Sequence, residues 1–65
     1  MHTLTEENYL KAIYRIYEST GEVVSTNAIA ENLQIHAASV TDMFKKLGQQ
    51  KLVIYEKSKG VKPTD

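Results

Sequence analysis

His36, Ser39 and Asp42 bring an imidazole, a hydroxyl and a carboxylate together on neighbouring turns of one stretch, His36-Ala37-Ala38-Ser39-Val40-Thr41-Asp42. Nucleophilic catalysis uses these three types, but only when a third group orients the base and an oxyanion donor faces a pocket. A single helical face supplies neither, and no phosphate-cradling glycine loop exists in the chain. An enzyme is therefore not expected. His2 and His36 lie far apart, and the absence of cysteine removes thiolate metal sites and disulfides alike. The chemistry this stretch suits better is contact with a polyanion. Ala37 and Ala38 are small enough to let a helix enter a groove. The Ser39 and Thr41 hydroxyls can bond phosphates or base edges, and Lys45 and Lys46 follow to hold the backbone.

Those side chains need a scaffold, and the apolar spacing predicts one. Between Glu6 and Glu18, Tyr9, Leu10, Ile13, Tyr14, Ile16 and Tyr17 recur at helical spacing while Lys11, Arg15 and Glu18 face outward. This gives a first helix over about 5–19, capped by Thr3 or Thr5, with Glu6 and Glu7 suited to the positive end of its dipole and Gly21 after it. Ser25-Thr26-Asn27 supplies an N-cap for a second helix over about 26–33, whose apolar side is Ala28, Ile29 and Leu33. After Gln34-Ile35-His36 a third helix runs over about 37–50 on an inner stripe of Val40, Met43, Phe44 and Leu47. The period then changes. Leu52-Val53-Ile54-Tyr55 reads as a strand, Ser58-Lys59-Gly60 as a turn and Val61-Lys62-Pro63 as the return, a hairpin over about 52–64.

A short helix, a three-residue turn and a longer helix make a helix-turn-helix when a small residue sits at the crossing and apolar residues close the triangle. Ala30 fills the first role, and Ile29, Leu33, Ile35, Val40 and Met43 the second. The usual glycine of the turn is Gln34 here, which predicts strain or a modified turn. The third helix is then a recognition helix, with Ala38, Ser39, Thr41, Asp42, Lys45 and Lys46 on its outer face. The hairpin is a wing carrying Lys57 and Lys59 near its tip. The fold expected is mainly α with a small β-hairpin, a winged helix-turn-helix of three helices and a two-stranded wing.

Charge fits that picture only when it is mapped. Eight Lys and Arg balance eight Asp and Glu, which argues against a generic polybasic binder. Residues 1–31 carry Lys11 and Arg15 against five glutamates, a net of −3. Residues 32–65 carry six lysines against Asp42, Glu56 and Asp65, a net of +3. The basic half is the one with the recognition helix and wing. No apolar run approaches the ~18 residues of a membrane span, and the polar, acidic N-terminus is not a secretory signal. A cytoplasmic protein without membrane contact is expected.

Glu7-Asn8-Tyr9-Leu10-Lys11-Ala12-Ile13-Tyr14, Ile29-Ala30-Glu31-Asn32-Leu33, Ala38-Ser39-Val40-Thr41, Lys45-Lys46-Leu47, Leu52-Val53-Ile54-Tyr55-Glu56 and Lys59-Gly60-Val61 together resemble the N-terminal domain of the iron- and manganese-dependent repressors, the diphtheria toxin repressor family. The resemblance covers nearly the whole chain in order. It implies a domain that binds a palindromic operator in double-stranded DNA. It implies a homodimer formed through a C-terminal dimerisation and metal domain expected beyond residue 65, with Mn(II) or Fe(II) as cofactor of the full-length protein and none bound by this fragment alone. One family ligand falls at Asn8. Manganese-sensing relatives place a second carboxylate one turn later, at the position of Lys11, and a charged lysine cannot ligate. The resemblance thus leaves a single metal site using the Asn8 carbonyl, or a plain surface asparagine.

The function expected is sequence-specific DNA binding by a metal-dependent transcriptional repressor. His36, Ala37, Ala38 and Asp42 are placed nearest the bases, and Ser39, Thr41, Lys45, Lys46, Thr26 and Asn27 toward phosphates. Asp42 either accepts from a cytosine amine or pairs with Lys45 or Lys46, and the pairing is the expectation. Two alternatives stand beside this reading: a metal-independent winged-helix regulator, and a winged-helix protein-interaction module. Salt separates the second, since phosphate contacts weaken steeply with ionic strength and an apolar protein interface does not.

Overall fold

The computed structural model of the protein describes residues 4–57 and 59–64, so the proposed Thr3 cap and Ser58 of the turn lie outside the described residues. The first helix, α1, spans Leu4–Thr20. Its inner face is Tyr9, Ala12 and Ile13, followed one turn later by half-buried Ile16 and Tyr17. That stripe leaves no room for Tyr14, which is 48% exposed, so the expected place for it in the core is wrong. Thr5 lies inside α1 and does not cap it. The helix ends where Gly21 takes φ 71° and donates its N–H to the Tyr17 carbonyl at 2.7 Å.

The second helix, α2 (Thr26–Leu33), starts on Ser25, whose Oγ accepts from the Ala28 N–H at 3.1 Å. It ends on Gln34, in the left-handed region at φ 57° and ψ 51°, with the Gln34 and Ile35 N–H groups both reaching the Ala30 carbonyl. The predicted strain is real, because a side chain costs about 1 kcal/mol or more in this conformation. Gln34→Gly should raise stability by about 1 kcal/mol, seen as a rise in the thermal midpoint of about 5 °C by circular dichroism. The turn also corrects the expected triangle. Ile29 is fully buried and Leu33 and Met43 are partly so, but Ile35 is 37% exposed and closes nothing.

The third helix, α3 (Ala37–Gln49), carries the centre of the core in Val40, Phe44 and Leu47, all fully buried. Its end is a left-handed cap without glycine. Lys51 sits at φ 62°, its N–H reaches the Gly48 carbonyl, and the Leu52 N–H reaches the Leu47 carbonyl, each at 3.0 Å. The chain then enters strand β1 (Val53–Glu56), paired antiparallel with β2 (Gly60–Pro63) in the register Val53–Pro63 to Glu56–Gly60. Gly60 therefore belongs to the return strand.

A β-bridge outside the two strands has no counterpart in the periodicity. Val24, just before α2, exchanges both backbone hydrogen bonds with Val61, at 2.7 and 2.9 Å, and is itself buried. This bridge ties the wing to the front of the helix-turn-helix. The result is three helices with a two-stranded hairpin on one edge, arranged as a winged helix.

Candidate nucleic-acid interface

Helix geometry divides the surface of α3 into two sides. With Val40, Phe44 and Leu47 inward, Ala38, Asp42 and Lys45 point outward. Lys45 borders a concavity of about 440 Å³ with Gly48, Gln49, Val53, Ile54 and Tyr55, which puts it on the wing side. Ser39 lies on the other side, in a groove of about 690 Å³ against Thr5, Asn8 and Tyr9 of α1, with Gln34, Ile35 and His36 completing the wall. Ala37 is exposed at the first turn, and His36 occupies the N-cap position of α3 with no capping bond from its side chain. Burial pushes the Tyr9 phenol above its ordinary value, so the groove floor carries no charge from it near neutral pH.

The wing side gathers residues that are distant in sequence. Thr26 and Asn27 at the start of α2, Thr41 of α3, and Tyr55, Lys59 and Gly60 of the hairpin line one notch of about 370 Å³ together with Ser25. Two of its walls suit an anion: the N-terminus of α2 contributes backbone N–H groups and the positive end of its dipole, and Lys59 contributes a charge. Thr41 is half-buried, not on the open face as expected, and its hydroxyl donates to the Ala37 carbonyl at 3.2 Å, leaving its lone pairs for a donor. Lys57 and Lys59 are exposed at the wing tip. Lys62, by contrast, lies 3.8 Å from the Glu56 carboxylate, a surface pair worth at most about 1 kcal/mol.

Tyr55 is the residue the sequence reading passed over. It borders both wing-side concavities and is half-buried, its ring set edge-on to Phe44 at 6.4 Å between centroids and 63° between planes. The available signal was strand alternation, which puts Tyr55 on the same face as buried Val53 while Ile54, on the other face, is 45% exposed.

The two lysines of α3 have different surroundings. The expected pairing of Asp42 with Lys45 or Lys46 does not occur; Asp42 is exposed and has no ion-pair partner among the described residues. Lys46 turns instead toward Glu6 of α1, with its ammonium 3.6 Å from Oε2. The same oxygen accepts from the Gln50 side-chain amide at 3.0 Å. Glu6 is 3% exposed. It wins Lys46 because a buried carboxylate has lost its water and gains most from a cation. Lys46 itself is 58% exposed, so water screens the pair and it falls well short of the ~3–5 kcal/mol lost on breaking a fully buried one.

Asn8 is exposed on α1 and offers one carbonyl oxygen; Lys11, one turn on, is exposed and cationic, and Glu6 is turned into the core. Among the described residues no three His, Asp or Glu side chains gather into a metal-holding group. A hard divalent cation takes about six oxygens, so these residues do not by themselves fit one. No helix among the described residues is long and apolar enough to cross a membrane.

Comparison with known proteins gives this arrangement a context. Residues 1–61 match the family model described as iron dependent repressor, N-terminal DNA binding domain. The chain is 42% identical over 60 residues to the HTH-type transcriptional regulator MntR of Oceanobacillus iheyensis, covering 92% of this chain and 40% of that protein. It is 39% identical over 61 residues to the regulator of the same name from Bacillus subtilis, covering 94% and 42%. The chain thus spans about two fifths of the length of the curated relatives it matches.

Proposed function

Because the chain belongs to the iron-dependent repressor family through its N-terminal DNA-binding domain, we propose that it is the operator-reading part of a metal-dependent transcriptional repressor. The observation that carries this reading is the notch where Thr26, Asn27, Thr41 and Lys59 converge from α2, α3 and the wing, with Lys45 beside it. A phosphate seated there would meet the N–H groups at the start of α2, the Thr26 hydroxyl and a lysine together, with Thr41 shaping the wall while its own proton stays on the Ala37 carbonyl. The first turns of α3 then lie in the major groove, with His36, Ala37, Ala38 and Asp42 nearest the bases and Ser39 toward the flanking backbone on the α1 side. Asp42, unpaired among the described residues, is suited to accept from a cytosine amine. Lys57 and Lys59 follow the adjacent phosphates or minor groove.

The remaining parts of the proposal concern the whole protein, as in its longer relatives: a homodimer on a palindromic site, acting in the cytoplasm and regulated by Mn(II) or Fe(II). Within this domain Asn8 is the candidate ligand. The test is fluorescence anisotropy of the intact protein on promoter duplex, with and without Mn(II) or Fe(II) and across a salt series. Binding that needs metal and weakens steeply with salt is expected, and Asn8→Ala should then raise the metal concentration required. Equal binding with and without metal would keep the DNA reading and retire the metal. Binding indifferent to salt, or none, would move the domain to protein interaction.

A further inference from the structure

From the side-chain cluster of Glu6, Lys46 and Gln50 we infer that Glu6 is a positioning residue that withholds Lys46 from the DNA backbone, so that the two adjacent lysines of the recognition helix have opposite roles. The inference rests on the DNA-binding reading above and deepens it. Lys46 of α3 and the C-cap residue Gln50 stand one turn apart on the same stripe, and both reach the same carboxylate oxygen of Glu6, at 3.6 and 3.0 Å. That stripe continues through Ser39 on the α1 side, away from the notch and from Lys45. To serve a phosphate, Lys46 must leave a carboxylate that is 3% exposed, so that the charge it abandons gains little water in exchange. Lys45 has no such rival among the described residues and can follow the backbone. Glu6 thereby lowers sequence-independent affinity by one contact and leaves base reading in control of binding.

The experiment is a salt titration of the intact protein on a short fluorescein-labelled duplex of mixed sequence, comparing wild type with Lys46→Met, Glu6→Gln and the double variant. Each phosphate neutralised contributes roughly 0.9 to the slope of log affinity against log salt. Lys46→Met should leave the slope within about 0.3 of wild type. Glu6→Gln, which keeps the shape and the acceptor for Gln50, should steepen it by roughly 0.9 and bind more tightly at low salt, and the double variant should return to the wild-type slope. A merely structural Glu6 would shift the melting temperature and leave the slope alone, which overturns the inference. So does Lys46→Met shallowing the slope by roughly 0.9, a result that needs no Glu6 variant to fold. If wild type itself shows no salt-dependent binding, the DNA reading fails and this inference falls with it, a pattern distinct from either.

Discussion

Gly60→Ala is expected to destabilise the domain by about 4 kcal/mol. A Cβ at position 60 would stand 2.0 Å from the Val24 carbonyl oxygen and 2.7 Å from its carbon, and Gly60 sits at φ 136°, where L side chains are strained. Backbone strain of this kind costs about 1–3 kcal/mol, and forcing an atom into a packed site about 1–3 more. Neither neighbour is a flexible side-chain end, so relief requires the wing to separate from Val24 and break the Val24–Val61 pair. A domain of this size is stable by roughly 3–10 kcal/mol in all, so the variant would be partly unfolded at room temperature. Gly21→Ala is the internal control. It shares a positive φ of 71°, but nothing lies within 4 Å of its Cβ, so it should cost only about 1 kcal/mol. Urea denaturation of both variants measures the difference; equal losses would mean that the close approach to Val24 contributes nothing.

That contact marks the boundary of what the sequence could tell. The helices were legible because their apolar residues repeat at 3.6, and the hairpin because the period switches after Lys51. Gln34 announced its left-handed backbone by standing where glycine is usual. Val24 announced nothing. One valine in Glu22-Val23-Val24 forms a β-bridge only because Val61, distant in sequence, pairs with it, and no local period records a long-range pairing. Glu6 was read as a first-turn acid favouring the dipole. It is still in the first turn, but the end of α3 packs over it and makes it a buried anchor. Ile35 and Tyr14 failed in the opposite direction, since apolar type alone predicts burial, whereas Ile35 stands in the turn between α2 and α3 and Tyr14 lies off the buried stripe of α1. The candidate interface divides in the same way. Its residue types were visible on one helix and one hairpin, while its sidedness, Lys45 toward the wing and Lys46 toward α1, required the fold.

The sidedness leads to the largest expected effect on binding. Replacing Lys45, Lys57 and Lys59 together by Ala should weaken DNA binding about a hundredfold at ~0.15 M salt, because three phosphate contacts at roughly 0.9 each amount to a slope of about 2.7 and a factor of about 170 relative to 1 M. All three are exposed, so folding should change little, within about 0.5 kcal/mol per site. The neutral total charge of the chain does not weaken this expectation. Counterions are released where lysines meet phosphates, and the acids of residues 1–31 are elsewhere in the sequence or, like Glu6, buried and paired. Lys62→Ala, which removes a cation already facing Glu56 at 3.8 Å, should shift the slope by well under half of one contact. The salt titration that measures these slopes should be run on operator and on mixed-sequence duplex in parallel. An equal loss on both identifies the three lysines as backbone contacts that position the recognition helix. A loss confined to the operator would instead make them base readers, and the assignment of Ala38, Asp42 and the first turn of α3 to the major groove would have to be given up.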